Sequence, residues 1–510
     1  MKNKIFDLKK FYLLRAKFKR NKKKIILCHG VFDVLHYGHI LHFREAKKLN
    51  GIVVVSVTAD KFVNKGPHRP VFKLETRMKM LESIEEIDYV IPSLNQTPIE
   101  NIKKIKPDIY FKGKDYMNEK KDLTGNISKE IKAIKSVGGQ IKFSTSDLMS
   151  SSRVINQTQL NLNKKQKKFI DSIKNKKNFS NETNVINVFE SFKNLKVLII
   201  GESIIDQYIF CESMGKSGKE PVLVLRDLFS EKYLGGAAAI ANNLAAFSSK
   251  ITLLSCVGQR REEKAFINRK LNNKISSFFL EKKNSPTIIK KRYLDEINKS
   301  KVLGVYSLND QPLDKNQEIK FTKKVMNEIK KNDIIIVSDY GHGLISKDLA
   351  KKIVKKSKFL AVNTQVNASN VGYHVISKYI GANFVTINET ELRHEVRDKN
   401  SDVMDLIKKL SNILRCNYAN VTCGKDGAYI YDRKSKKMNY SPAFASKVID
   451  KVGTGDTMMI LATLSLYKKV DINFAMFISA ISAAENISNF ANKKFLEKNN
   501  FIKSILSYLK

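Results

Sequence analysis

The stretch "LCHGVFDVLHYGHILHFREAKKL", Leu27 to Leu49, decides the reading of the N-terminal part of the chain. An apolar run ends at Gly30, a short connection follows, and a helical pattern opens near Tyr37. The chain holds 8 histidines, and three of them, His36, His39 and His42, fall within seven residues here. A strand, a turn and a helix in that order leave a helix N-terminus beside the turn, with unbonded N–H groups and a positive dipole end. His36 and His39, three residues apart, can both direct N–H groups at a phosphate, and Gly38 between them lets the backbone approach closely. A lone histidine is more often structural. The pair around a glycine, in a strand–turn–helix context, favours anion binding. His42 reads as a neighbour on the helix face.

Working outward, short apolar runs recur at "KIILCHG", "IVVVSVTAD", "DYVIPS", "DIYFKG" and "QIKFS". Helical patterns lie between them, for example Leu74, Met78, Leu81 and Ile84 at spacings of three and four. Continuous Val/Ile runs alternating with helices predict a parallel sheet covered on both faces. Residues 157–194 are polar and lysine-rich and read as a connector. A second α/β series begins at "KVLIIGESIID" and continues through "KITLLSCVG", "DIIIVSDYG", "FLAVNTQ", "FVTINETE" and "YANVTCG". The expected organisation is a basic N-terminal extension (1–23), a first α/β domain (24–157), a basic helical linker (158–194) and a second α/β domain (195–510). Both domains are expected to be doubly wound parallel sheets.

Composition bounds the function. With 42% apolar and 28% charged residues, 510 residues can bury two cores, which excludes global disorder. The net charge of +42 suggests polyanionic ligands. The lysines run along the whole chain rather than in one patch, which argues against a nucleic-acid partner. The 5 cysteines form no C-x-x-C pair, so neither a disulfide framework nor a zinc site is indicated. No apolar run approaches the ~20 residues needed to span a bilayer, and the start of the chain lacks a signal-peptide pattern. These features predict a cytoplasmic protein without a membrane partner.

A second chemical stretch is "DKVGTGDTMM", Asp450 to Met459. Gly453 and Gly455 permit a turn whose N–H groups cradle a phosphate, and Asp456 opens the helix, placed to take a proton from a hydroxyl. Alone the pattern is weak, since Gly–Asp pairs also cap ordinary helices.

Two family resemblances give these stretches company. "GVFDVLHYGH", containing Gly30 and Phe32, resembles the H-x-G-H signature of cytidylyltransferase-like nucleotidyltransferases. So, in order, do "NKGPHRPV" (Lys65), "ETRMKML" (Arg77), "FKGKDY" (Lys112) and "MSSSRVIN" (Ser151, Ser152). The resemblance implies a Rossmann-like fold with His36, His39 and Lys65 in catalysis. It also implies nucleotide contacts from Gly30, Phe32, Gly38, Arg77, Lys112, Ser151 and Ser152. Residues 195–500 resemble the ribokinase-like (PfkB) sugar kinases through "GESIIDQY" (Asp206), "KYLGGAAAIANN" (Gly235, Gly236), "INETE" (Asn388, Glu391), "VTCGKDGA" (Gly424, Gly427) and the Gly453–Asp456 turn. This resemblance implies Asp456 as base, Gly453 and Gly455 as anion hole, Gly424 and Gly427 near ATP, and Asp206, Gly235 and Gly236 on the sugar. Asn388 and Glu391 would organise Mg²⁺. "TIIKKRYL" supplies Lys290 and Arg292, read as holding a substrate phosphate, although Lys290 could equally be one more surface lysine.

The combination resembles the bifunctional heptose-phosphate kinase/adenylyltransferases of lipopolysaccharide precursor synthesis, with the two domains in reversed order. That resemblance implies sugar-phosphate and nucleoside-triphosphate substrates, ATP in the kinase, ATP or CTP in the transferase, and a homo-oligomer. Three departures stand out: Ala239 where an asparagine is usual, "VNTQVN" (Val362 to Asn367) where Asp-Pro-Lys is usual, and "NFANKKF" without a glycine. Two alternatives stay open: another surface-polysaccharide sugar or polyol with CTP, or one domain serving as a polyanion-binding scaffold.

Overall fold

The structure is a computed structural model that describes residues 3–63, 69–117, 126–145, 162–176, 179, 181–367 and 370–509. The chain divides into two units, Met1–Asn161 with Asn499–Lys510, and Leu162–Lys498. Among the described residues no helix is long and apolar enough to cross a membrane.

The first unit runs α1 (Leu8–Arg20), β1 (Lys24–Gly30), α2 (Tyr37–Lys47), β2 (Gly51–Thr58), α3 (Leu74–Glu82), β3 (Tyr89–Ser93), α4 (Ile99–Ile105), β4 (Ile109–Lys112), α5 (Asn126–Ser136) and β5 (Gln140–Phe143). The five strands the sequence predicts are all present. They form one sheet in the order β3-β2-β1-β4-β5, every pairing parallel. The order reverses at β1, so a crevice opens at the C-terminal ends of β1 and β4, where ligands of such sheets bind. The α1 segment is no free extension: Phe11 is fully buried, and its ring meets Tyr89 edge-on at 5.3 Å. Phe6, Leu8 and Phe18 pack on the same core beside Ile102 and Ile105.

The second unit begins with α6 (Lys164–Lys174) and α7 (Glu182–Phe192), in the stretch expected to be a linker. Ile170 and Ile173, then Val185, Phe189 and Phe192, sit at helical spacing and are buried. Phe179 stacks on Phe474 at 4.0 Å. These few apolar residues give each helix a core face despite its lysines.

The strands and helices that follow are β6 (Lys196–Gly201), β7 (Ser203–Lys216), β8 (Leu223–Gly235), α8 (Gly236–Leu244), β9 (Lys250–Val257), α9 (Arg261–Lys270), β10 (Ile275–Glu281), β11 (Ile288–Asp295) and β12 (Lys301–Ser307). Next come α10 (Lys315–Ile329), β13 (Ile334–Asp339), α11 (Lys347–Lys356), β14 (Leu360–Thr364), β15 (Phe384–Asn388), α12 (Glu389–Val396), α13 (Val403–Leu414), β16 (Tyr418–Thr422), β17 (Ala428–Asp432) and β18 (Lys437–Ser441). The chain closes with α14 (Thr454–Tyr467), α15 (Ile472–Ile487) and α16 (Lys498–Leu509).

Nine strands form the main sheet, β10-β9-β6-β13-β14-β15-β16-β17-β18, parallel except for the β16–β17–β18 meander. Its central strands, such as "IIIV" in β13, are buried end to end, as a sheet covered on both faces requires. A separate four-stranded sheet, β12-β11-β7-β8, was not expected. "KVLIIGESIID" divides at Glu202: β6 belongs to the main sheet and β7 to the smaller one. That division carries Asp206 into the smaller sheet.

Candidate active sites

In the first unit His36 is the N-cap of α2, and its Nδ1 accepts the Gly38 N–H at 3.1 Å. His39 Nδ1 in turn accepts the His36 N–H at 3.4 Å, and the two rings stack with centroids 4.0 Å apart. A backbone N–H can only donate. Each Nδ1 is therefore the acceptor nitrogen, and each neutral ring carries its proton on Nε2. The reciprocal cap thus sets both imidazoles as Nε2–H donors at a helix N-terminus. Phe32 lies beneath, edge-on to His39 at 5.5 Å. His42 is buried against Phe111 and Phe43, and burial pushes its imidazole down to about 4, so it is neutral packing, as the sequence suggests.

Asp33, not singled out from sequence, holds the other side of the turn. It accepts the Val71 N–H at 2.8 Å, the Phe72 N–H at 3.0 Å and Arg69 Nη1 at 3.2 Å. The only sequence signal for it was its place in the motif.

Two expected nucleotide ligands are committed elsewhere. Arg77 is fully buried: Nη1 donates to the Val31 carbonyl at 2.6 Å, Nη2 to the Thr58 carbonyl at 2.8 Å and Asp60 at 2.6 Å, and Nε to the Phe72 carbonyl at 2.9 Å. It ties the loops after β1 and β2 together and has no free face for a phosphate. Lys112 is buried in an ion pair with Glu130 at 3.1 Å, with Tyr110 donating to the same carboxylate at 2.9 Å. Its charge is already compensated. Lys65, Ser151 and Ser152 lie outside the described residues.

In the second unit Asp456 stands in the first turn of α14, with Gly453 as N-cap at φ +75°. The Gly455 and Asp456 amides are first-turn donors with no intrahelical acceptor. Tyr340, just past β13, donates its hydroxyl to Asp456 Oδ2 at 3.0 Å. Burial pushes the Asp456 carboxyl up to about 6, and the nearby Asp206 adds to the rise while Tyr340 and Lys290 oppose it. Asp206 on β7 is buried and pairs with Arg292 on β11 at 2.5 Å. Lys290, two residues along β11, is 7% exposed and lies between the Tyr340 and Tyr306 rings, at 5.6 and 5.7 Å from their centroids. Burial lowers its ammonium, against the pull of Asp206. It is not a surface lysine.

Gly236 opens α8 at φ +58°, where an L side chain would be strained and its Cβ would meet the Glu202 carbonyl at 2.3 Å. Asn492, in the C-terminal segment lacking the usual glycine, joins the two glycine turns. Its Nδ2 donates to the Leu234 carbonyl at 2.9 Å, and its Oδ1 lies where a Cβ on Gly453 would stand 2.7 Å away. The turn bearing Asp456 is thereby fixed beside the turn that makes room for Asp206.

Asn388 and Glu391 make a reciprocal cap on α12. Glu391 accepts the Asn388 N–H at 2.9 Å and the Val366 N–H at 3.1 Å, and its own N–H goes to Asn388 at 2.9 Å. Each Glu391 oxygen accepts one backbone N–H, so the cap fixes the carboxylate in place. Burial, with the Asp456 charge adding, raises the Glu391 carboxyl. Glu391 and Asp456 feel each other's charge, and two neighbouring carboxyls of this kind would favour a divalent cation beside them. No group of three or more His, Cys, Asp or Glu side chains suited to a metal occurs among the described residues. Gly424 and Gly427 shape the turn between β16 and β17, next to Asn388 through its pairing with Thr422.

Reading the sequence missed Tyr340 and Glu202. Glu202 is fully buried and accepts the Tyr340 N–H at 3.0 Å and the His342 N–H at 3.1 Å. The signal that could have found Tyr340 is "DYGHG", two glycines directly after a buried strand, whereas Glu202 stands in "GESIID" with no mark of its own.

Two family models match the chain: a pfkB family carbohydrate kinase over residues 194–489, and a cytidylyltransferase-like domain over residues 27–180. The bifunctional protein HldE of Campylobacter jejuni subsp. doylei is 28% identical over 292 residues, covering 57% of this chain and 60% of that protein. The HldE of Helicobacter pylori strain Shi470 is 30% identical over 294 residues, covering 57% and 62%. The chain therefore spans about three fifths of the length of the curated relatives it matches. A ribokinase from Thermotoga maritima aligns with 61% of this chain and 99% of its own at 13% identity and a TM-score of 0.49, a likeness that carries no argument.

Proposed function

Because the chain belongs to the pfkB family of carbohydrate kinases, we propose that its second unit moves the γ-phosphoryl group of ATP onto a hydroxyl of a sugar phosphate, and that its first unit, a cytidylyltransferase-like domain, then activates the sugar. The observation that carries the reading is the buried group around Asp456. A carboxylate at a glycine-turned helix start lies within electrostatic reach of Lys290, and Lys290 in turn lies beside Arg292, two cations that suit a substrate phosphate. The sugar hydroxyl attacks the γ-phosphorus. Its proton passes to Asp456, the bond from the γ-phosphorus to the bridging oxygen breaks, and ADP leaves. Asp206 would accept hydrogen bonds from the sugar. The Gly455 and Asp456 amides would take the charge that grows on the phosphoryl oxygens. Bound Mg²⁺ would neutralise the β- and γ-phosphates.

In the first unit a sugar 1-phosphate oxygen attacks the α-phosphorus of a nucleoside triphosphate, and pyrophosphate leaves. His36 and His39, as Nε2–H donors, would meet the phosphate oxygens. The resemblance carried by the sequence motifs favours an ADP-heptose-type product made from a heptose 7-phosphate, with a separate phosphatase removing the 7-phosphate between the two steps. In the test, the full chain is supplied with ATP, Mg²⁺ and heptose 7-phosphate, and ADP is measured. Pyrophosphate is then measured with the sugar 1-phosphate and either ATP or CTP. Asp456→Asn should remove only the first activity and His39→Asn only the second. Loss of both in either variant, or of neither, overturns the division of labour.

A second reading changes the sugar. Ala239 supplies no amide, and its neighbours do not replace it: Asn242 bonds Lys270 and Asn272, and Asn243 accepts the Leu496 N–H. A pocket with one fewer hydrogen-bonding group favours a sugar or polyol with one fewer recognised hydroxyl. Ranking kcat/KM over a panel of sugar phosphates separates the two readings.

A further inference from the structure

Asp456 Oδ2 is held by Tyr340, whereas Oδ1 accepts no hydrogen bond among the described residues. Tyr340 is itself fixed at every end. Its N–H goes to Glu202 Oε2 at 3.0 Å, and its carbonyl accepts Asn370 Nδ2 at 2.9 Å and Asn367 Nδ2 at 3.0 Å. Its ring is 3% exposed, with the Lys290 ammonium on its face. Glu202 also takes the His342 N–H, so the whole 340–342 turn is tied to a carboxylate at the β6–β7 division. With its backbone pinned and its ring enclosed, the side chain cannot swing away from Asp456 without displacing the groups packed around it.

We propose that Tyr340 is the positioning residue of the kinase site: by holding Asp456 Oδ2 it fixes the carboxylate plane, leaving Oδ1 to meet the substrate hydroxyl. This rests on the reading of Asp456 as the base. The phenol suits the task chemically, since burial raises it well above its ordinary range and it remains a donor at every working pH. The charged groups facing Asp456 come from each surrounding element: Asp206 from β7, Lys290 from β11 and Glu391 from α12. Among the described residues, Tyr340 alone hydrogen-bonds the Asp456 side chain. Removing that donor weakens the ionised form, so Asp456 would hold its proton to higher pH.

The test compares kinase kinetics of the full chain and its Tyr340→Phe variant, which keeps the ring and loses only the hydroxyl. The expected result is a fall in kcat of about 10- to 100-fold, KM for both substrates within about twofold, and an acidic limb of the kcat profile displaced to higher pH. Site-specific 3,5-difluorotyrosine at position 340, a stronger donor, should displace that limb to lower pH. It also serves if the Phe variant fails to fold. A Tyr340→Phe protein with kcat within twofold of the parent and an unmoved limb overturns the proposal, as does a difluorotyrosine protein whose limb stays in place. A lowered melting temperature with an unchanged pH profile also overturns it, because that is the mark of a packing role. Asp456→Asn separates the premise. If that variant retains kinase activity, the base assignment fails whatever Tyr340 does. If it is inactive and Tyr340→Phe is normal, only the positioning role fails.

Discussion

A Cβ placed on Gly235 would stand 2.2 Å from Asp206 Oδ2, well inside contact distance. Arg292 holds its other oxygen at 2.5 Å and the residue is buried, so the carboxylate makes way only by giving up that ion pair. Gly235 itself has φ −128°, which any residue adopts, so the conflict is with a side chain and not with the backbone. Gly235→Ala should therefore leave a folded protein with a displaced Asp206. We expect KM for the sugar phosphate to rise by at least about tenfold, the loss of one well-made polar contact, with KM for ATP unchanged. Gly236→Ala, at φ +58° and against the Glu202 carbonyl, should instead lower folded yield. Steady-state kinetics together with melting curves of both variants check the contrast.

Arg77 gives the opposite expectation from its motif. Among the described residues its bonds run to Val31, Thr58, Asp60 and Phe72, and none of its surface is exposed. Arg77→Met should cost about 3 kcal/mol of stability, because three carbonyls lose their donor together. Nucleotide KM of the remaining folded enzyme should stay within about twofold. A large KM increase without a stability loss would show that the side chain reaches the nucleotide.

The contrast between Gly235 and Arg77 marks what the sequence made legible. Parallel strands such as Ile334–Asp339 could be read directly, since burial on both faces demands unbroken Val/Ile runs. The four-stranded sheet could not. β8 and β12 are mostly exposed, so "LVLRDLFSEKYLG" and "KVLGVYS" carry no clean alternation. The glycine turns and the helix start at Asp456 were legible because few residue types tolerate the backbone that Gly236 and Gly453 adopt. Arg77 and Lys112 misled for a related reason: a cation suited to phosphate is equally suited to tying loops or pairing with Glu130, and only burial distinguishes the uses. Tyr340 left no trace, because its role arises from a meeting of segments 116 positions apart.

Asp450 should tie the glycine turn before α14 to the smaller sheet. Lys301 on β12 reaches Asp450 Oδ1 at 2.7 Å, and Tyr208 on β7 donates to Oδ2 at 2.8 Å. Burial alone would raise the Asp450 carboxyl, but Lys301 and Tyr208 outweigh it and hold it below its ordinary value. A depressed acid stabilises the fold above its unfolded pKa, and that contribution is lost as pH falls through the folded pKa. Lys301→Met should therefore lower the melting temperature at pH 7 by more than at pH 3. The half-exposed lysine limits the effect to about 1 kcal/mol. It should also reduce kinase kcat with little change in KM. Equal losses at both pH values would mean that packing, and not charge, makes the contact useful.

The raised Asp456 carboxyl sets function against stability. Its folded value, about 6, lies above the ordinary 3.8, so the fold disfavours the ionised form. The penalty is absent below the unfolded pKa, grows between the two values and is complete above about 6. Asp456→Asn removes the charge and keeps the shape. It should raise the melting temperature at pH 8 while leaving it nearly unchanged at pH 4, and it should abolish phosphoryl transfer at both. The same titration predicts that wild-type kinase activity falls as pH drops through about 6. An Asn variant that melts lower than the parent at pH 8 would mean that ionised Asp456 is stabilised by its surroundings, with Lys290 outweighing burial. The acidic limb of kinase activity would then lie below pH 4, and the two measurements must move together because they report one proton.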